Sequence, residues 1–344
     1  MKEGDNMIRI SVDGMGGDDA PKSICDGVMQ ALKAYDNIEV TIFGDQDKMA
    51  PFLKSHPRLT IIHTPYALDM AEKDVVKVYR SNKEMSMFMA MQYVKDGHAD
   101  GFVTAGPTQA VVVGGHFIIR RMKHMKRVAI APIIPSYDQK GRILLDGGAN
   151  TDFKPEHLVE FAMYASVVVK EVLKRDHPTV ALINIGTEDK KGREFDVEVH
   201  TLLASHPTLH FYGNMEPKDV VTSDADIFLT DGFTGNIVMK TMEGTAKGMS
   251  MVLKREIKSS FFSIIGAIFM RKALKNLKKS LDASEIGGAL LMGFDHIVIK
   301  AHGSSDGFAF KNAIRQAKEM AEANVIEKVK QALDAYQGNH EQTV

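Results

Sequence analysis

The chain runs to 344 residues, long enough to bury one large α/β core or two lobes. Its 44% hydrophobic and 25% charged content is that of a soluble globular protein, and a formal net charge of −1 excludes a globally basic nucleic-acid binder. A single cysteine, Cys25, excludes an intrachain disulfide and a cysteine-rich metal site. Residues 1–6 carry no secretory pattern, and the longest apolar run, Phe261 to Met270, is about half of what a membrane span needs, so a cytoplasmic protein is expected.

Met7 to Val12 alternates into a strand, and Gly14, Gly16 and Gly17 follow it. Pro21 suits the first turn of a helix that continues through Ile24, Val28 and Leu32, with Cys25 on its buried face. A second strand, Glu39 to Phe43, ends at Gly44-Asp45. That order invites a dinucleotide reading, but Asp19 occupies the third glycine position and would face a pyrophosphate. No Walker-type loop occurs. Leu59 to His63 reads as a strand and Ser81 to Lys95 as a helix whose Met85, Phe88, Met89 and Met91 fill core. Gly101 to Thr104 is a strand entering Ala105-Gly106-Pro107-Thr108-Gln109, followed by a helix to Arg121.

Val128 to Ile134 and Arg142 to Leu145 are strands with a turn at Asp138 to Gly141, and Lys154-Pro155-Glu156 opens a helix to about Lys174. Val180 to Ile185 leads into the charged loop Gly186-Thr187-Glu188-Asp189-Lys190-Lys191-Gly192. Leu209 to Tyr212 is a strand ending at Gly213-Asn214. Ile227 to Leu229 is a short buried strand broken by Asp231-Gly232, after which Thr234-Gly235-Asn236 opens a helix. Residues 240–282 are helical, and Ile297 to Ala301 is the final strand. His302 to Asp306 then caps one long C-terminal helix with Ala309, Ala313, Ile314 and Ala317 on one face. Strand and helix alternate throughout, which predicts a single α/β/α domain over 1–337, with a mainly parallel sheet covered on both faces and a polar tail from Gly338.

Six strand-like runs end in polar, glycine-bearing turns, at Val12-Asp13-Gly14, Thr104-Ala105-Gly106, Leu145-Asp146-Gly147, Ile185-Gly186-Thr187, Thr230-Asp231-Gly232 and Ala301-His302-Gly303. In a parallel sheet such ends share one edge, where ligands bind, and a helix opening there aims free N–H groups at an anion. The 13 histidines show no metal-ligand spacing, and neither a serine elbow nor an activated cysteine is present. What remains is hydroxyls, amides and the Lys190-Lys191 pair, a set that positions an oxyanion such as phosphate and steadies developing negative charge.

Five stretches in order carry a resemblance: Val-Asp-Gly-Met-Gly-Gly-Asp-Asp-Ala-Pro (12–21), Leu-Leu-Asp-Gly-Gly-Ala-Asn (144–150), Asn-Ile-Gly-Thr-Glu-Asp-Lys-Lys-Gly (184–192), Thr-Asp-Gly-Phe-Thr-Gly-Asn (230–236) and Lys-Ala-His-Gly-Ser-Ser-Asp (300–306). From about Met7 to Glu327 the chain resembles the bacterial acyl-ACP:phosphate acyltransferase family known as PlsX. The resemblance implies a Rossmann-like three-layer α/β/α fold related to phosphotransacetylases and isopropylmalate dehydrogenases. It implies transfer of a fatty acyl group from acyl carrier protein to inorganic phosphate, with the acyl phosphate passing to a glycerol-3-phosphate acyltransferase in phospholipid synthesis. It also implies a homodimer, no organic cofactor, and peripheral contact with the inner face of the membrane.

On that reading Thr234, Gly235, Asn236 and the Gly303-Ser304 turn hold phosphate, and Lys190 or Lys191 neutralises phosphate or the tetrahedral oxyanion. His302 orients by hydrogen bonding, and Asp13, Asp146 and Asp231 order the loops. Gly16, Gly17, Thr104, Gly106, Thr108, Asn150, Gly186, Thr187, Glu188, Asn214, Gly232 and Ser305 complete the substrate-facing set. A thiolate is a fair leaving group, since a thiol pKa is only about 8.5, so attack by phosphate needs no enzyme nucleophile. The chain departs from the family where Pro107 removes a backbone donor and Gln109 replaces glycine. Asp19 stands where many members have histidine, so it is given no acid-base role. A phosphotransacetylase-like enzyme acting on acyl-CoA, or a non-catalytic membrane scaffold, are the other readings.

The helical region about 240–285 is expected to serve contacts outside the domain. Met242, Met249, Val252 and Leu253 recur at helical spacing and suit a dimer face. Phe261 to Phe269 is apolar on all sides, and beyond it Met270, Ala273, Leu274, Leu277 and Leu281 oppose Arg271, Lys272, Lys275, Lys278 and Lys279. Such a division fits Phe261 to Leu281 to an anionic lipid surface.

Overall fold

The computed structural model describes residues 7–150, 152–280 and 283–341, with side chains at 278–280, 283 and 338–341 outside the description. Expectations for Leu281, for the Lys278 and Lys279 side chains and for the end of the tail therefore fall outside the described residues. In chain order the elements are β1 (Ile8–Asp13), α1 (Lys22–Ala34), β2 (Ile38–Gly44), α2 (Gln46–Met49), β3 (Leu59–His63), α3 (Val75–Ser81), α4 (Ser86–Lys95) and β4 (Gly101–Thr104). Next come α5 (Thr108–Gly114), a π-helical turn (Gly115–Ile119), β5 (Ala129–Ile134), β6 (Arg142–Leu145), α6 (Pro155–Glu171), β7 (Thr179–Ile183), α7 (Glu194–Ala204), β8 (His210–Met215) and β9 (Ile227–Leu229). The chain finishes with α8 (Gly232–Lys258), α9 (Phe261–Phe269), α10 (Arg271–Ser280), β10 (Gly288–Met292), β11 (Ile297–Ala301), α11 (Gly307–Glu322) and α12 (Val325–Glu341).

The strands form one sheet in the order β3-β2-β1-β4-β11-β10-β5-β6-β9-β7-β8. Period-two alternation divides its side chains between two helix layers. Ile42, Val103, Leu290 and Ile299 face the layer containing α1 and α11, while Phe43, Phe102, Leu291 and Val298 join Phe88, Met91 and Val94 of α4. Cys25 is fully buried, Phe88 and Met91 fill core as expected, Met85 and Met89 pack partly buried against it, and Met87 joins the core as an addition to the sequence reading. At the far half Leu144, Ala181, Ile183 and Phe228 cover Val238 of α8. Most neighbouring strands run parallel, and the three-layer expectation holds.

The expectation that six strand ends share one edge does not hold. β10 is antiparallel to both β11 and β5, and β5 is antiparallel to β6. β6, β9 and β7 consequently point opposite to β1, β4 and β11, and the six loops leave by opposite edges of the sheet. The reversal is made at the Asp138 to Gly141 turn, where Ser136 Oγ donates to Asp138 at 2.5 Å and Gly141 takes a φ of 70°. Strand β10 is an addition to the sequence reading. Its Gly-Ala-Leu-Leu-Met composition has no β-branched residue to mark it as a strand.

Two expected helices are broken. The Ser81 to Lys95 stretch divides where Asn82 turns extended and its side chain accepts from the Glu84 amide at 2.8 Å. The C-terminal helix divides at Asn324, whose φ of 51° is a conformation a short amide tolerates. The helix expected to reach Arg121 ends at Ile119 after its π-helical turn.

Candidate functional site

The first of two polar nests forms where β6 and β9 end. Asp146 is fully buried, and its carboxylate accepts from the amides of Ile130 at 2.9 Å, Gly148 at 3.1 Å, Ala149 at 3.0 Å and Asn150 at 2.9 Å, and from Asn150 Nδ2 at 3.0 Å. Burial pushes its pKa up while these donors work against that rise. The first turn of α8 docks onto this loop. A Cβ on Gly232 would lie 2.1 Å from the Asn150 carbonyl oxygen, and one on Gly235 would lie 2.0 Å from that of Asp146. Only glycine allows this approach.

Asp231 caps α8. Its carboxylate accepts from the Thr234 amide at 2.8 Å, from Thr234 Oγ1 at 3.0 Å and from the Arg193 guanidinium at 2.6 Å. Burial would raise its pKa, but the Thr234 amide and Arg193 outweigh that and hold it below the ordinary carboxylate range. Arg193 also forks onto Asp196, through Nε at 2.9 Å and Nη2 at 2.8 Å. Beside it, Asn236 Oδ1 is buried without a partner among the described residues, a position that an incoming hydrogen-bond donor can satisfy.

The charged loop after β7 is tied down by two asparagines at adjacent strand ends. Asn184 Nδ2 donates to the Lys191 carbonyl at 2.8 Å, and Asn214 Nδ2 donates to that of Glu188 at 2.7 Å. Lys191 is half-buried and pairs with Glu188 at 3.4 Å, whereas Lys190 is exposed and has no carboxylate partner among the described residues. Gly186 is buried and Thr187 exposed on the same loop. Arg193 follows directly and reaches Asp231, so the β7 loop and the start of α8 form one unit. Asn184 and Arg193 were absent from the sequence-derived set, although both lie within or beside its charged motif.

The second nest lies at the ends of β1, β4 and β11. Asp13 is buried and accepts from Ser86 Oγ at 2.7 Å, Thr104 Oγ1 at 2.8 Å and the Met15 amide at 3.2 Å. Burial pushes its pKa up against these bonds. The Gly106 amide donates to Thr104 Oγ1 at 2.9 Å, with Gly16 and Gly17 packed between. The Asp18 amide bonds the Gly303 carbonyl at 2.8 Å, joining the first loop to the last. His302 Nδ1 pairs with Ser304 Oγ at 2.8 Å, and Ser305 is buried behind. Thr108 and Gln109 are exposed at the start of α5, and Pro107 is extended ahead of them. Lys300 was missed as a site residue. Its ammonium donates to the Ala301 carbonyl at 2.6 Å, and burial brings its pKa down to about 8 against the attraction of Asp18. Among the described residues no group of three or more histidine, cysteine or acidic side chains stands close enough to hold a metal.

The family described as fatty acid synthesis protein matches residues 8–328. The chain belongs to this family. It is 55% identical over 329 residues to a protein of Acholeplasma laidlawii named phosphate acyltransferase, covering 95% of this chain and 98% of that one. A Bacillus pumilus protein of the same name is 44% identical over 318 residues, with 92% and 95% covered. Among solved structures, a branched-chain phosphotransacylase from Enterococcus faecalis V583 superposes with a TM-score of 0.58 at 16% identity, covering 92% of this chain and 99% of that one. The EutD phosphotransacetylase from Staphylococcus aureus does so at 0.56 and 15%, covering 92% and 94%. These likenesses bear out the expected fold.

Proposed function

We propose that the protein is a phosphate acyltransferase that takes a long-chain acyl group from acyl carrier protein to inorganic phosphate. A phosphate oxygen attacks the thioester carbonyl, the tetrahedral oxyanion collapses, and the carrier leaves as its thiolate. Atoms balance without an enzyme-bound intermediate. The observation that supports this most is the start of α8, docked through Gly232 and Gly235 onto the Asp146 loop. The N-terminus of a 27-residue helix suits an oxyanion, the free Asn236 Oδ1 beside it can accept from a protonated phosphate oxygen, and the Lys190-Lys191 loop adjoins through Arg193. Lys190, exposed and without a carboxylate partner among the described residues, is the better placed of the two lysines to meet an incoming anion. The product is a mixed anhydride, suited to acylate a glycerol phosphate in a following step. Long-chain acyl carrier protein and phosphate should yield free carrier in a phosphate-dependent manner. Turnover of acyl-CoA alone, or of neither donor, would overturn this reading.

The same proposal includes a homodimer and a membrane contact. Met249, Met251, Val252 and Leu253 of α8 are 67%, 65%, 50% and 41% exposed, more apolar surface than a helix leaves in water. Along α9, Phe262 and Phe269 are 84% and 85% exposed. No described helix is long and apolar enough to cross a membrane. An apolar tip followed by the cationic Arg271, Lys272 and Lys275 supports attachment to an anionic surface.

A further inference from the structure

The segment Arg120-Arg121-Met122-Lys123-His124-Met125-Lys126-Arg127 holds five arginines and lysines and no carboxylate. It is a fixed loop. Met122 and Met125 are buried, the Met122 amide donates to the Gly293 carbonyl at 2.9 Å, and the Lys126 amide donates to Glu160 at 2.9 Å. Arg120 leaves the π-helical turn with a φ of 71°, and His124 has one of 68°, conformations that non-glycine residues adopt at some cost. Lys123 pairs with Asp334 at 3.0 Å, His124 Nε2 lies in hydrogen-bond contact with the same carboxylate at 2.9 Å, and Arg121 donates to the Lys126 carbonyl. Arg120, Lys126 and Arg127 are exposed and have no carboxylate partner among the described residues. An open depression of about 350 Å³, lined by His116, Phe117, Arg120 and Arg121, lies beside them.

This positive face abuts the first nest. Asn150 Nδ2 donates to the Val128 carbonyl at 2.6 Å, one residue past Arg127, and the Ile130 amide donates to Asp146 at 2.9 Å. We infer that the Arg120 to Arg127 loop is the docking surface for the acidic carrier protein, holding it where its acyl thioester reaches the start of α8. The inference rests on the proposed donor. A donor carried on a protein needs a contact outside the reacting atoms, and unpaired cations on a rigid loop supply steering and register to an acidic partner. Lys123 on Asp334 shows that an acid is provided where the loop needs neutralising, so the three bare cations are left for another molecule.

The test is the double variant Arg120→Glu/Arg127→Glu beside the milder Arg120→Gln/Arg127→Gln, with thermal unfolding as a folding control. Kinetics are read with acyl carrier protein and with the same acyl chain on pantetheine, at several salt concentrations. Holo-carrier binding is measured separately by calorimetry. Charge reversal should raise KM for acyl carrier protein about tenfold or more with kcat held, and should flatten its salt dependence. The glutamine variant should fall between, and the pantetheine donor should be unaffected. Unchanged KM and binding would overturn the inference, as would equal losses with both donors, which would place the loop at the reacting atoms. Loss of binding to anionic vesicles with KM intact would assign the loop to lipid and overturn it too. Failure of the wild type itself to bind or consume acyl carrier protein would instead remove the proposed donor, and the docking surface with it.

Discussion

Replacing Asp231 tests whether the cap and its ion pair hold the turn that carries Thr234, Gly235 and Asn236. Asp231→Ala removes the acceptor for the Thr234 amide, a loss of about 1 kcal/mol. It also removes the Arg193 pair. That pair contributes no more than about 1 kcal/mol, because the arginine side chain is 60% exposed and screened. The alanine variant should therefore lose about 2 kcal/mol in urea unfolding. Asp231→Asn keeps an acceptor for the amide and loses only the charge, about 1 kcal/mol. Because the Asp231 pKa is depressed, its charge contributes stability above the unfolded carboxylate range and loses it as pH falls through the folded value. The gap between wild type and Asp231→Asn should thus close below about pH 4. Phosphate-dependent activity should fall further in the alanine than in the asparagine variant. Equal destabilisation by both, or a gap that persists in acid, would refute the capping argument.

The remaining predictions test other parts of the site. Gly235→Ala drives a Cβ into the Asp146 carbonyl and should cost about 1–3 kcal/mol along with most activity. Gly244→Ala on the same helix meets nothing within 4 Å and should gain about 0.5–1 kcal/mol, so similar losses in both would sink the docking argument. Lys300 has a folded pKa of about 8, below its unfolded value of 10.5, so the unfolded chain binds more protons and stability should rise from pH 8 to 10.5. Lys300→Met should flatten that profile and stabilise the protein at pH 7 by up to roughly 3 kcal/mol, and a less stable variant would count against the buried charge. Lys190→Ala should lower the rate by the equivalent of about 2.7–4 kcal/mol if its charge acts in the transition state, with urea unfolding unchanged. In liposome co-sedimentation, Leu274→Glu and Lys272→Glu/Lys275→Glu should each lose anionic-vesicle binding while activity on soluble donor survives. Loss of activity with binding intact would reassign α10.

Much of this arrangement was legible because it is local chemistry. A strand breaking at Asp231-Gly232 and reopening as a helix at Thr234 was readable, but the helix begins two residues earlier, at Gly232, with Asp231 as its cap at 2.8 Å from the Thr234 amide. Asp146 takes five donors from the loops around it and Asp13 two hydroxyls, contacts that a carboxylate at a strand end makes locally. Direction in the sheet was not legible. It depends on β5 and β6 pairing antiparallel across a short turn, and on β10 inserting from a segment more than 140 residues later in the chain. Neither pairing leaves a periodic trace, because Ala-Ile-Ala-Pro-Ile-Ile and Gly-Ala-Leu-Leu-Met are apolar runs that read alike in either orientation.

That reversal changes what the six loops can be. Had all ends shared one edge, the turns at Asp13, Thr104 and His302 would have joined Asp146 and Asp231 around a single anion. Instead the sheet carries two nests of different character. The one at Asp231 has a long helix aimed at it, with an unsatisfied amide oxygen and a cationic loop alongside. The one at Asp13 is closed upon itself by hydroxyls, and its buried ammonium at Lys300 already bonds a main-chain carbonyl. The half-reversed sheet therefore keeps the two sets of loops apart. A parallel sheet of the same strands would have crowded both sets of loops onto one edge.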